Sequence, residues 1–175
     1  MNQRPLTPDQ VLSLSRRELA TLFDACADQR PLRLSDLVPE GVAPFSEVIH
    51  DGKNSLPAFK HFQKRFCRPP GQQIQELWGY NEQTLRVFSG PGYFVVHRPD
   101  TGVGANELLV DYRRLPSGKP AAWPSIAPNS GGLSRFIYHE NVDILRRVSD
   151  GISVGRVYRN ERATDAWFAL VKRSP

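Results

Sequence analysis

Asp150-Gly151 stands between two apolar-rich runs, Val142-Asp-Ile-Leu-Arg-Arg-Val148 and Ile152-Ser-Val-Gly-Arg-Val-Tyr158, and nothing else in the chain constrains its fold as tightly. Asp-Gly accepts the positive backbone angles of a two-residue hairpin turn, whose twist matches that of antiparallel strands. With these two residues as the turn, regular pairing sets Val148 opposite Ser153, Arg146 opposite Gly155 and Ile144 opposite Val157. Val142, Ile144, Val148 and Val157 then share one face, with Arg146 as the charged residue among them. Gly155, facing Arg146, leaves room for a long side chain or a ligand group.

The rest of the chain after Gly71 alternates in the same way. Candidate strands are 74–81, 84–89, 92–98, 106–113, 134–139, 142–148, 152–158 and 166–172, mostly joined by short Gly-, Pro- or Asn-containing connections. Eight short consecutive strands predict an up-and-down antiparallel β-barrel, because closure removes the edges an open meander would expose. One connection is long: 115–133 holds four prolines, three glycines and Trp123. Such a loop is a lid or a crossover, so Trp123 either caps a barrel mouth or lies pinned outside the sheet.

Before Gly71 the signals are helical. Thr7-Pro8-Asp9-Gln10 and Ser15-Arg-Arg-Glu18 each read as a capping box, opening a short helix at 8–14 and a longer one at 16–28. Leu19, Leu22, Phe23 and Cys26 recur at helical spacing. Residues 30–57 read as loop with one short strand at 46–50. Phe59, Phe62 and Phe66 on one face and Lys60, Lys64 and Arg68 on another predict a helix over 59–66, stopped by Pro69-Pro70-Gly71. The expected fold class is mainly β: a single domain, 1–175, in which a helical and loop region, 1–70, caps a barrel formed by 71–175.

Composition bounds the function. No run approaches the roughly 20 apolar residues of a membrane span, and Met1-Asn-Gln-Arg-Pro5 lacks the apolar core of a secretory signal, so the expectation is a cytoplasmic protein. Cys26 and Cys67 form no C-x-x-C pair and suggest reduced thiols. The four histidines, His50, His61, His97 and His139, lie in separate segments without ligand spacing. No metal or other cofactor is therefore expected. The net charge of +5 permits an anionic partner, but the basic residues are spread from Arg4 to Arg173 and do not read as a nucleic-acid footprint.

Glu18-Leu-Ala-Thr-Leu-Phe-Asp24, Lys64-Arg65-Phe66 and the 143–155 hairpin resemble the calycin group, the lipocalin and fatty-acid-binding barrels, and in particular small bacterial cytosolic lipocalin-like proteins of the GXWXG type. The glycine-tryptophan signature itself is absent. The resemblance implies a helix-capped barrel around an apolar cavity. In fatty-acid-binding barrels an Arg-x-Tyr pair holds the ligand carboxylate, and Arg156-Val-Tyr158 matches it here. Two residues apart on a strand, these side chains share a face and can meet one carboxylate. Regular hairpin register places them opposite Arg146, and the company of apolar residues favours Arg146 as the luminal group. A luminal arginine then needs a carboxylate, from the protein or from a ligand.

Alternation adds Tyr93, Val95 and His97 on one face of their strand, Leu108, Val110 and Tyr112 on another, and Phe136 with Tyr138. The candidate ligand-binding residues are thus Arg146, Arg156, Tyr158, Tyr93, His97, Tyr112, Trp123 and Tyr138. They predict a pocket for a small apolar or amphipathic, anionic molecule. One alternative is a non-redox enzyme in the same cavity, drawing on His97, Asp111 and Tyr138 for proton transfer. The other is a protein-interaction or nucleic-acid-binding module.

Overall fold

The computed structural model describes residues 6–56, 60–71, 73–83, 90–99, 104, 106–131 and 138–174. Both capping boxes form. Thr7 and Gln10 open α1 (Pro8–Ser13), and Ser15 and Glu18 open α2 (Arg16–Ala25). A single turn, α3 (Leu34–Leu37), follows. Eight strands come next: β1 (Val48–Asn54), β2 (His61–Cys67), β3 (Glu76–Glu82), β4 (Tyr93–His97), β5 (Leu108–Asp111), β6 (Asn141–Ser149), β7 (Ile152–Arg159) and β8 (Arg162–Lys172). Each pairs antiparallel with the next, and β8 pairs with β1, closing the barrel.

The sheet therefore begins at Val48 and not after Gly71, because the segment expected as a helix over 59–66 is strand β2. Phe62 and Phe66, four residues apart, satisfy a helical and an alternating pattern equally. The residue that would have decided between them is Lys64, which points inward with the two phenylalanines and is buried. A charge at a core position conceals the period of two. Of the expected strands, 84–89 lies outside the described residues, as do 134–137, while Tyr138 and His139 stand in a turn. Phe59 and Phe136 also lie outside them.

The Asp150-Gly151 turn forms, with Gly151 at φ 72° and Ser149 opposite Ile152. The strand register beyond it differs from regular pairing. An irregularity between Arg147 and Ser149 leaves Val148 unpaired, so Arg147 faces Ser153, Leu145 faces Gly155 and Asp143 faces Val157. One extra residue in one strand turns every side chain beyond it to the other face. Asp143 and Leu145 point into the barrel; Val142, Ile144 and Arg146 point out.

Both faces of this ribbon are apolar because both are covered. Outside, Ile144, Ile152, Val154 and Ala169 pack with Val11, Leu19 and Phe23 of the first two helices and with Cys26, which caps the second. These helices lie along the barrel wall and do not cap its end. That role falls to the segment around α3, whose Leu32, Leu37 and Val38 join Phe66, Leu77, Val96, Leu108, Leu145 and Leu170 in the core. The main-chain N–H of Leu32 donates to Asn106 O at 3.0 Å, and Lys172 Nζ donates to Asp36 O at 3.1 Å, tying this plug to the rim.

The long connection after β5 crosses the outside of β3 and β4. Trp123 packs edge-on to Tyr80 at 4.9 Å, beside Trp78, Tyr93 and Val95, and its indole N–H donates to Glu47 at 2.6 Å. Of its two expected placements, the one outside the sheet is the one observed. No helix among the described residues is long and apolar enough to cross a membrane.

Candidate functional site

At the barrel end opposite the plug, side chains from six of the eight strands and from the flanking turns line a cavity of about 310 Å³. Phe62, Phe168 and Val157 supply apolar wall; Lys64, Asn81, Tyr112 and Asp143 supply its polar groups; Tyr138, Gln83, Asn141 and Arg159 also line it. The volume falls at the lower end of the roughly 300–1,000 Å³ typical of small-molecule sites.

The polar group is built around Lys64. Its Nζ donates to Asn81 Oδ1 at 3.1 Å, to Asp143 Oδ2 at 3.3 Å and to the Tyr112 hydroxyl. An ammonium has three protons to place, and each has an acceptor here. The Tyr112 oxygen also accepts from Asn81 Nδ2 at 2.9 Å. Four side chains thus satisfy one another in a place where an unpaired charge would cost several kcal/mol, on the order of the penalty for any buried ion.

Aromatic rings enclose this group. The Lys64 nitrogen lies 4.9 Å from the ring centres of Phe94 and Tyr112, 5.0 Å from Phe168 and 5.7 Å from Phe62. Phe62, Phe94 and Phe168 come close because each lies across a glycine that is its direct cross-strand partner: Gly52, Gly79 and Gly155 respectively. Tyr138 stacks on Tyr112 with ring centres 5.3 Å apart, and its hydroxyl accepts from Gln83 at 2.9 Å.

Burial governs the protonation of the site. It pushes the Lys64 ammonium below its ordinary value, against the raising pull of Asp143. Burial likewise raises Asp143 despite the charge and hydrogen bond of Lys64. Tyr112 is raised well above its usual range, by burial first and then by the Asp143 charge. Both members of the lysine–aspartate pair are drawn toward their neutral forms, which interconvert with the ion pair by one proton transfer.

Of the residues singled out in the sequence, Tyr112 and Tyr138 line this cavity. Arg146 does not. Its guanidinium lies 3.9 Å over the Phe23 ring, with Nε on Glu107 at 2.6 Å and Nη1 on Phe23 O at 2.8 Å, so its carboxylate partner comes from the protein. Arg156 and Tyr158 share that outer face, where Arg156 stacks 5.0 Å from Trp167 and donates to Thr164 O at 3.2 Å. The bulge at Val148 puts all three on one side, where regular pairing would separate them. Tyr93 faces outward under the long connection after β5, and Trp123 is the residue of that connection packed beside it.

His97 and Asp111 also meet outside, at 3.7 Å, while Tyr138 is inside, so the proton-transfer trio of the enzyme reading is not assembled. Burial works to raise Asp111, but the nearby His97 ring and the hydrogen bonds and charge of Arg113 outweigh it and hold the carboxyl low. Among the described residues no group of three His, Cys, Asp or Glu side chains is gathered as a metal ion would need. Cys26 and Cys67 are free and buried.

Lys64, Asp143 and Asn81 were missed by sequence reasoning. Their signal was present: in Phe62-Gln-Lys64-Arg-Phe66 and Asn141-Val-Asp143-Ile-Leu145 the polar residue sits in step with a luminal apolar one. Comparison with family models and with curated proteins finds no match to this chain.

Proposed function

We propose that this barrel binds a small amphipathic molecule in the cavity between Phe62, Phe168, Val157 and Tyr138. The polar end of the molecule meets Lys64, Tyr112, Asp143 and Asn81, and its apolar body lies against the rings. The observation that carries this reading is the set of convergent, mutually satisfied polar side chains lining an otherwise apolar pocket of about 310 Å³. An apolar pocket with a few placed polar groups is the general form of a small-molecule site.

Lys64 and Asp143 together carry no net charge, and the arginines first considered for the ligand carboxylate lie on the outer wall.

Native mass spectrometry beside a denatured control tests the reading, together with titration of an environment-sensitive probe, anilinonaphthalene sulfonate. A small-molecule adduct lost on denaturation, or saturable probe binding that Val157→Trp abolishes by filling the cavity, is the expected result. The absence of both an adduct and saturable probe binding by the wild-type protein would sink the proposal.

A further inference from the structure

We infer that Lys64 is a nucleophile: its amine condenses with an aldehyde or ketone carbonyl on the bound molecule to form a Schiff base. The inference rests on the binding reading above and adds a reaction class to it.

Three observations carry it. Lys64 lines the cavity in which the bound molecule would lie. Four aromatic rings and complete burial surround that nitrogen, and an apolar setting favours the neutral amine over the ammonium. Asp143 stands 3.3 Å away and is buried, and the Tyr112 hydroxyl accepts from the same nitrogen. It is the group that takes the ammonium proton when the pair becomes neutral.

The step balances without any added reagent. The amine lone pair attacks the carbonyl carbon; the C–N bond forms as the C=O π pair moves to oxygen. Asp143, as the acid, gives that oxygen a proton and receives one from the nitrogen. Its proton then goes to the carbinolamine hydroxyl, which leaves as water while the nitrogen lone pair closes C=N. The products are a protonated Schiff base, an Asp143 carboxylate beside it and one water. The cationic imine inherits the aromatic surroundings and the counter-ion that now serve the ammonium.

Reductive trapping decides the matter. The folded protein is treated with hexanal and cyanoborohydride near neutral pH, and alkylated lysines are located by peptide mapping. In parallel, 1-hexanol, which has no carbonyl, is tested for displacing the fluorescent probe and for protecting Lys64. The expected result is alkylation of Lys64 at least roughly tenfold faster than that of Lys53 and Lys172. Hexanol should suppress it, and Asp143→Asn should slow it about tenfold or more. If hexanol displaces the probe while Lys64 reacts no faster than the other lysines, the Schiff base is overturned and the binding reading stands. If the wild-type protein shows neither an adduct nor saturable probe binding and Lys64 is unreactive, both fall.

Discussion

Gly155 of β7 and Phe168 of β8 are direct partners across the barrel wall, and a methyl group on Gly155 would lie 2.3 Å from the Phe168 ring. The ring occupies the room that regular pairing assigned to Arg146, and from there it reaches to 5.0 Å from the Lys64 nitrogen. The absent side chain at Gly155 is thus what sets the aromatic wall of the cavity. Gly155→Ala is expected to cost about 1–3 kcal/mol through overpacking. The cost should shrink in a Phe168→Leu background, because the two positions are coupled. Urea denaturation of the two single variants and the double variant checks this; equal costs in both backgrounds would disprove the coupling.

Lys64 and Asp143 hold each other in the lumen, so removing either one strands the other. Lys64→Met or Asp143→Asn alone should destabilise by roughly 3–5 kcal/mol. The double change Lys64→Met with Asp143→Leu leaves no buried charge and should recover most of that loss. Denaturation midpoints of the three variants provide the comparison, and a double variant no better than the worse single would contradict it.

Arg146 acts on the packing of α2 and not on the lumen. Arg146→Ala removes the partner of the buried Glu107 carboxylate and the contact with Phe23, and should cost about 2 kcal/mol. Affinity for a luminal probe should stay within about twofold of wild type, since less than half a kcal/mol would separate the two. A steep loss of affinity in a folded variant would return Arg146 to the binding site.

His50 ties stability to mild acid. It is 1% exposed, its Nε2 meets Leu37 O at 2.9 Å, and burial lowers its pKa to about 4 from an ordinary 6.5. Between those values the unfolded chain binds a proton that the folded protein refuses. The contribution is therefore fully present above about pH 6.5 and is lost as pH falls toward 4. From pH 7 to pH 5 the wild type should lose about 2 kcal/mol more than His50→Gln. Denaturation curves of both proteins at the two pH values test it; parallel losses would show that His50 is not the sensor.

The first two helices and the late hairpin turn were legible because their signals are local. A capping box closes within four residues, and Asp-Gly selects its turn from its own backbone preferences. The antiparallel barrel class was legible for a related reason: many short alternating runs joined by short turns leave few other arrangements. The candidate site was legible only at Tyr112, which continues the inward phase of Leu108 and Val110, and at Tyr138, which reaches the cavity from a turn and not from the expected strand.

What the chain by itself determined, then, was that these segments pair as antiparallel strands with helices before them. What only the tertiary structure decided was which face of each strand looks inward. At Arg146 the choice turned on a single unpaired residue, Val148, in a ribbon apolar on both sides because helices cover its outside. At Lys64 it turned on partners 17, 48 and 79 residues away, Asn81, Tyr112 and Asp143, which together make burial of a charge tolerable. Alternation records that two faces differ. It does not record which one is the core when both are covered, nor that a lysine belongs there once distant residues satisfy it.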